Sequence, residues 1–276
     1  MNIDKSYKVK KSMINMHLIE KRGLNKSGQA TIFVIVAIAI VAVIVIAFAF
    51  FPGITERITG QELNPIGFLR SCVNDNIEEN IALLAKQGGY SNPEGFILYN
   101  GEKVKYLCYT SRYYETCRVQ QPMIKTHFEN ELEEISQRKV NDCFQSLKTE
   151  YEKRGFSVSS GAVKSNVNIV PNSIRVSFDT PMTITKEDTR TFDGFSVDID
   201  SEMYDLLFTA QSIIDFESAL GDSETSLYLQ YYPNLKIEKE KLGDGTTIYK
   251  LSNVITKEEF TFASRSLAWP PGYGVE

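Results

Sequence analysis

The chain has 276 residues, of which 42% are hydrophobic and 24% are charged, and these near-average values exclude a wholly disordered or collagen-like protein. Its four cysteines are too few for a disulfide-dense miniprotein, and its two histidines, His17 and His127, are too far apart for a His-rich metal cluster. The formal charge of −5 is unevenly distributed. Residues 1–28 hold seven basic and two acidic side chains, residues 29–51 hold none, and the rest hold 23 basic and 33 acidic ones. The chain therefore consists of a basic tail, an uncharged segment and an acidic body.

The uncharged segment 29–51 is the first predicted element. From Ile32 to Phe51 it has twenty consecutive apolar residues, and a helix of about twenty residues spans roughly 30 Å, the thickness of a bilayer's hydrocarbon core. We expect a single transmembrane helix here, because a backbone in lipid must satisfy its own hydrogen bonds. The positive-inside rule then predicts a cytoplasmic N-terminus and an extracytoplasmic body. The predicted location is the cell membrane, with the lipid bilayer as partner and Ile32, Phe33 and Phe51 as anchor residues.

The junction before this segment, Lys26-Ser27-Gly28-Gln29-Ala30-Thr31, resembles the class III signal of archaeal type IV pilins. In that family a membrane peptidase cuts after the glycine, which implies Gly28 as the last leader residue and Gln29 as the mature N-terminus. The resemblance covers about residues 21–51. It departs from the family near the fifth mature position, where an acidic residue is common and this sequence has Phe33. A pilin-like subunit would have other copies of itself or pilin-like proteins as partners, whereas an uncut signal anchor is the alternative.

Two long amphipathic helices are predicted in the body. Asn64-Pro65 suits an N-cap and a first helical position, and Gly88-Gly89 can end the helix that begins there. The second helix is expected from about Pro122 to Arg154. Apolar residues recur at three- and four-residue spacing in both, so we expect the two helices to pack together through these stripes.

Short β-type runs make up most of the remaining body. Asn100-Gly101 predicts a hairpin over residues 96–109, because a type I′ turn needs positive φ at both central residues. After Phe156, runs of strand-forming residues alternate with turn residues, apart from a predicted helix between Ser201 and Gly221.

The predicted fold class is α+β. It comprises a single N-terminal transmembrane helix followed by an extracytoplasmic body with two long packed helices and antiparallel β-sheet. The predicted divisions are a basic leader or tail, the transmembrane helix, a helical region with a hairpin and the cysteines, and a strand-rich α+β region: 1–28, 29–51, 52–155 and 156–276.

All four cysteines lie in the body, where an extracytoplasmic location would allow disulfides to persist. Four cysteines allow three pairings. We favour Cys108–Cys117, which are close enough in sequence to bridge a turn, and Cys72–Cys143, which would join the two helices. A zinc site is disfavoured, because the body has no C-x-x-C pair and only His127 to add.

Motifs for catalysis or cofactor binding are not recognisable. The sequence contains no G-x-S-x-G, no H-E-x-x-H and no phosphate-binding glycine loop. Asp198, Asp200 and Glu202 alternate as in a calcium loop, but Met203 stands where that loop needs glycine, so solvation of a strand end is the better interpretation. The acidic body disfavours nucleic acid as a partner. We therefore predict no enzyme, no catalytic residue, no metal and no cofactor.

The predicted function is that of a membrane-anchored cell-surface protein with a structural or adhesive role, pilin-like if the signal is processed. An extracytoplasmic binding module, or an accessory subunit of a membrane complex, is the alternative. Copurification with a complex would favour this alternative, and turnover of a substrate would favour an enzyme.

Overall fold

A computed structural model of the protein describes residues 34–43 and 63–268. Residues 34–43 are helical. No helix within the described residues is long and apolar enough to cross a membrane. On this finding, the prediction of a transmembrane helix over residues 29–51 is wrong.

Several residues named from the sequence lie outside the described ranges. These are the predicted processing residues Gly28 and Gln29 and the predicted anchor residues Ile32, Phe33 and Phe51. The fold set out below is that of residues 63–268.

The first long helix, α1, runs from Pro65 to Lys86. The side chain of Asn64 caps it by accepting hydrogen bonds from the backbone N–H groups of Ile66 and Gly67 at 3.1 and 3.2 Å. Proline stands at the first helical position, where its missing N–H is not needed. The helix ends just before Gly88-Gly89, both of which have positive φ. The bounds predicted for this helix are confirmed.

The second long helix, α2, runs from Ile124 to Lys153 and packs against α1. The Cys72–Cys143 disulfide joins the two helices. A hydrogen bond of 2.8 Å from the Asn80 side chain to the Ser136 hydroxyl crosses the same interface. The prediction of two long packed helices is confirmed.

Twelve strands lie in the described part of the chain. In chain order they are β1 (Phe96–Tyr99), β2 (Glu102–Tyr109), β3 (Arg118–Val119), β4 (Ser157–Ser160), β5 (Ser165–Val170), β6 (Ser173–Phe178), β7 (Met182–Thr185), β8 (Thr189–Phe192), β9 (Phe195–Asp200), β10 (Leu235–Lys241), β11 (Thr246–Asn253) and β12 (Glu259–Arg265).

The strands form one six-stranded sheet and two three-stranded sheets. The larger sheet has the order β1-β2-β12-β11-β10, with β3 paired to β2. The smaller sheets have the orders β4-β7-β8 and β5-β6-β9. Strands β2 and β12 pair in parallel, with Tyr106 opposite Ala263, whereas the other pairs are antiparallel. The α+β class is confirmed, but the larger sheet is mixed and not antiparallel throughout as predicted.

Helix α3 (Met203–Leu220) follows β9 and packs against β12 and α2, and the short helix α4 (Ser226–Tyr231) follows it. Aromatic contacts show how α2 joins the sheets. The ring of Phe128 lies 6.3 Å from that of Phe260 on β12, and the ring of Phe144 lies 6.2 Å from that of Phe178 on β6. A single hydrophobic core therefore connects the three long helices with strands from different sheets.

Candidate ligand-binding cleft

A cleft of about 460 Å³ lies where five segments meet. They are the C-terminal half of α1, the β5–β6 turn, the end of β9, the start of α3 and the turn between β11 and β12. Small-molecule pockets enclose roughly 300–1,000 Å³ and combine an apolar lining with a few polar groups. The cleft therefore has the size of a small-molecule site.

The buried part of the lining is apolar. Ile81 and Ala85 come from α1 and Met203 comes from α3, and each is at most 6% exposed. Ile81 and Ala85 are four residues apart, so they lie on the same face of the helix. Ala82 also lines the cleft but is exposed. The three buried residues form the floor of the cleft, and the exposed Ala82 offers apolar contact surface to a ligand.

Two turns in the left-handed backbone region contribute to the lining. Asn172 has φ 62° in the β5–β6 turn, and Lys257 has φ 67° in the β11–β12 turn. The second turn is also fixed by Asn253, whose side-chain oxygen accepts hydrogen bonds from the backbone of Ile255 and Thr256 at 2.8 and 3.2 Å. Such Asx bonding stabilises a turn locally, so this side of the cleft is pre-formed.

Glu258 connects the β11–β12 turn to the N-terminus of α3. Its carboxylate accepts hydrogen bonds from the Ser201 hydroxyl at 2.6 Å and from the backbone N–H of Glu202 at 2.5 Å. The Ser201 hydroxyl oxygen accepts in turn from the Met203 N–H at 3.2 Å. A carboxylate at this position satisfies N–H groups that a helix start leaves unpaired, and the helix dipole favours its charge.

Carboxylates outnumber amines around the cleft. The acidic residues of the lining are Glu78, Asp200, Glu202, Glu258 and Glu259. Two lysines also line the cleft, but their ammonium groups interact with residues that lie outside the lining. Lys257 donates to the carbonyl oxygen of Val254 at 2.6 Å, and Lys86 lies 4.0 Å from Glu102. The cleft therefore presents a net negative charge to a ligand.

The carboxyl group of Glu202 shows the consequence of this charge. Burial raises the pKa of Glu202, and the negative charges of Asp205 and Glu258 raise it further. A cation beside Glu202 would offset the repulsion and favour the ionised carboxylate. The cleft is thus chemically suited to a ligand with an apolar body and a positively charged group.

The alternating acids singled out in the sequence are divided between two places. Asp198 pairs with Arg175 on the adjacent strand at 2.7 Å, whereas Asp200 and Glu202 line the cleft. Within residues 34–43 and 63–268, no group of three His, Cys, Asp or Glu residues could hold a metal ion.

Two disulfide bonds are present, Cys72–Cys143 and Cys108–Cys117, which are the pairs favoured from the sequence. None of these cysteines lines the cleft. His127 also lies elsewhere, with its ring 4.0 Å from that of Tyr90. Burial lowers the pKa of His127.

A buried carboxyl group, Glu217 on α3, belongs to a separate polar cluster in the core. It is 1% exposed and accepts hydrogen bonds from the Tyr249 hydroxyl, from the Ser264 hydroxyl at 3.1 Å and from the Ser223 backbone N–H at 3.1 Å. Burial raises the pKa of Glu217, although the hydrogen bonds act in the opposite direction. Because these partners are buried around it, we assign this cluster a structural role.

Most of the cleft escaped the sequence analysis. Its lining comes from positions as far apart as Glu78 and Glu259, on elements whose packing partners cannot be read from local patterns. The alternating acids were a signal for Asp200 and Glu202, although they suggested calcium. Glu258 gave no signal, because its role depends on contact with the distant start of α3.

Comparison with known proteins gives no match. No protein-family model, no curated protein and no solved structure matches this chain. The function proposed below therefore depends on the chemistry of the cleft.

Proposed function

We propose that the protein is an extracytoplasmic binding module whose cleft takes a small ligand with an apolar body and a positive charge. The observation that carries this proposal is the combination of a buried apolar lining with an excess of carboxylates in one cleft of about 460 Å³. Apolar contact supplies binding free energy, and the carboxylates select by charge.

The two disulfides support the extracytoplasmic location. Disulfides persist in oxidising surroundings and are rare in reducing cytoplasm. We expect a protease added to intact cells to digest the body. Digestion only after lysis would contradict this location.

The structural or adhesive role stays a prediction. It depends on the resemblance over residues 21–51, of which the structure describes only 34–43. The predicted absence of enzymatic activity also stays a prediction.

Three probes with one apolar body can test the cleft by isothermal titration calorimetry. We expect 2-phenylethylamine to bind more tightly than neutral 2-phenylethanol, and 3-phenylpropionate to bind most weakly, because the carboxylates attract the ammonium and repel the acid. Equal binding of all three, or tightest binding of the acid, would contradict the proposal.

Two variants of α1 locate the binding. Ala82→Trp places a large side chain in the cleft and should abolish binding of the amine. Leu83→Trp adds the same side chain at an exposed position that does not line the cleft and should leave binding unchanged. Glu202→Gln should weaken binding of the amine but not binding of the alcohol. Loss of binding in Leu83→Trp alone would place the site elsewhere.

A further inference from the structure

A second surface, whose small cavity shares Glu202 with the cleft, exposes large apolar side chains. We call it the α3–α4 face. Its members are between 37% and 79% exposed: Phe208, Phe216, Leu220, Leu227, Leu229 and Tyr231. Contiguous apolar patches with aromatic residues mark interaction sites more often than ordinary surface.

A hydrogen bond links the two helices of this face. The hydroxyl groups of Ser212 on α3 and Tyr228 on α4 lie 2.8 Å apart. Ser212 stands four residues from both Phe208 and Phe216, so α4 contacts α3 between these two phenylalanines. The ring of Tyr204, 4.6 Å from that of Phe208, extends the face by one turn. Tyr204, Phe208 and Phe216 therefore share one side of α3, and α4 contacts α3 on this side.

The segment that forms this face carries charge of a single sign. Residues 201–235 contain no Lys, Arg or His. Their acidic residues are Glu202, Asp205, Asp215, Glu217, Asp222 and Glu224. Glu217 is buried, and Asp222 pairs with Lys239 and Lys241 at 2.5 and 2.9 Å. Asp205 and Asp215 are exposed on α3, the helix that carries Phe208 and Phe216.

A small cavity of about 120 Å³ lies at one end of the face. Its lining combines Leu206 and Tyr231 with the acidic residues Glu202 and Asp205. An apolar wall beside carboxylates suits the aliphatic stem and the charged end of a lysine or arginine side chain.

We infer that the α3–α4 face binds an amphipathic helix of a partner protein, with basic residues flanking the partner's apolar stripe. The apolar residues match the stripe, the exposed aspartates match the basic flank, and the small cavity accepts one basic side chain. Amphipathic helices bind apolar surfaces in this way through residues at helical spacing.

The negative charge of this face also disfavours two other partners, an anionic membrane and a second copy of the chain. A bilayer surface rich in anionic lipid would repel the aspartates. A two-fold dimer through this face would place the same acidic residues against each other. Both are outcomes of the test below.

The test uses three dye-labelled peptides of about 18 residues, or five helical turns. One has leucine on one face and lysine elsewhere, the second replaces lysine with glutamate, and the third replaces leucine with serine. With the full chain, fluorescence anisotropy should show binding of the Leu/Lys peptide and at least about tenfold weaker binding of the other two. Equal binding of the Leu/Glu peptide would overturn the inference.

Variants locate the binding on the α3–α4 face. Phe208→Ser should weaken binding of the Leu/Lys peptide about tenfold or more. The double variant Asp205→Lys with Asp215→Lys should weaken binding by a similar factor and reduce its salt dependence. The matched controls are Leu98→Ser, an exposed apolar residue of β1, and Glu134→Lys with Asp142→Lys, exposed acids of α2. The controls should bind as the unaltered chain does, and all variants should keep its unfolding temperature.

Two further results would contradict the inference. Unchanged binding in Phe208→Ser would overturn the inference, as would phosphatidylglycerol vesicles or a second copy of the chain binding in a Phe208-dependent manner. Ala82→Trp, which fills the cleft, should leave peptide binding unchanged. Failure of the cleft proposal is therefore distinguishable from failure of this one.

Discussion

Glu217 places a carboxyl group in the core, next to Tyr249 of β11 and Ser264 of β12. Lys239 lies over the Tyr249 ring at 5.6 Å and pairs with Asp222, so a cation and a second acid lie close to the cluster. Burial raises the pKa of Glu217 above its usual range because the ionised form loses its hydration. The same burial raises the pKa of Tyr249, which keeps that hydroxyl protonated as a donor.

The raised pKa of Glu217 predicts a pH dependence of stability with a defined sign. The folded state binds the proton more tightly than the unfolded state, so this contribution is complete below about pH 4.3, the unfolded value, and is lost as the pH rises through the folded pKa. Glu217→Gln should remove this dependence, since the amide can accept from Tyr249 and donate to Ser264. Urea unfolding at several pH values above about 4 would measure the difference.

A matched exposed variant and a truncation complete this experiment. Glu134→Gln on α2 is exposed and should keep the pH dependence of the unaltered chain. Glu217→Ala should lower the free energy of unfolding by about 3 kcal/mol, because it leaves buried donors without an acceptor. An unchanged pH profile in Glu217→Gln would disprove the assignment.

At the scale of elements, the start of α1 depends on one side chain. Asn64 accepts two backbone hydrogen bonds that the helix cannot satisfy internally. Asn64→Ala should lower the free energy of unfolding by about 1 kcal/mol. Asn64→Asp keeps the acceptor and places a negative charge at the positive end of the helix, so it should retain or raise stability. Equal loss in both variants would show that the cap is not the cause.

Helix α2 shows where a local prediction misses its boundary. The sequence predicts a start at Pro122, but the helix begins at Ile124, after Met123 in the left-handed region with φ 57°. No side chain caps this start. Instead the backbone N–H of Ile124 donates to the side chain of Gln211 on α3 at 3.2 Å. Because the acceptor comes from a distant element, no local pattern could have placed this end.

At the scale of the whole molecule, the two disulfides should differ in their contribution to stability. Cys72–Cys143 closes a separation of 71 residues and Cys108–Cys117 one of 9. The chain-entropy model gives about 4 kcal/mol for the longer loop and about 2.5 kcal/mol for the shorter one. Denaturant unfolding of the Cys72→Ala/Cys143→Ala and Cys108→Ala/Cys117→Ala variants would compare them.

The test is which of the two variants loses more stability, not the size of each loss. Both pairs are replaced by alanine, so the loss of side-chain packing is of the same kind in each variant. A larger loss for Cys108→Ala/Cys117→Ala would show that packing in the core, where both of its cysteines are buried, outweighs loop closure.

Local chemistry in the sequence was sufficient for several features. The two ends of α1 could be predicted from Asn64-Pro65 and Gly88-Gly89, because helix caps and positive φ act within a few residues. Asn100-Gly101 forms the predicted turn between β1 and β2, with φ 50° and 86°. The pairing of the cysteines followed from the apolar stripes of two helices that pack together.

Length of an apolar run was not sufficient. Twenty apolar residues predict a membrane span, but no helix within residues 34–43 and 63–268 is long and apolar enough to cross a membrane. A run of apolar side chains indicates an apolar environment and does not by itself specify a membrane-spanning helix.

The sequence alone was enough to predict the α+β class and the long helices and to favour the correct cysteine pairs, because their signals lie within a few residues or along one helix face. Only the tertiary structure decided the parallel pairing of β2 with β12, the cleft, and the exposure of Phe208 and Phe216. The helical spacing that buries Ile213 and Ile214 is visible in the sequence. Whether the opposite face is covered depends on which elements pack against it, and that is a property of contacts between residues far apart in the chain.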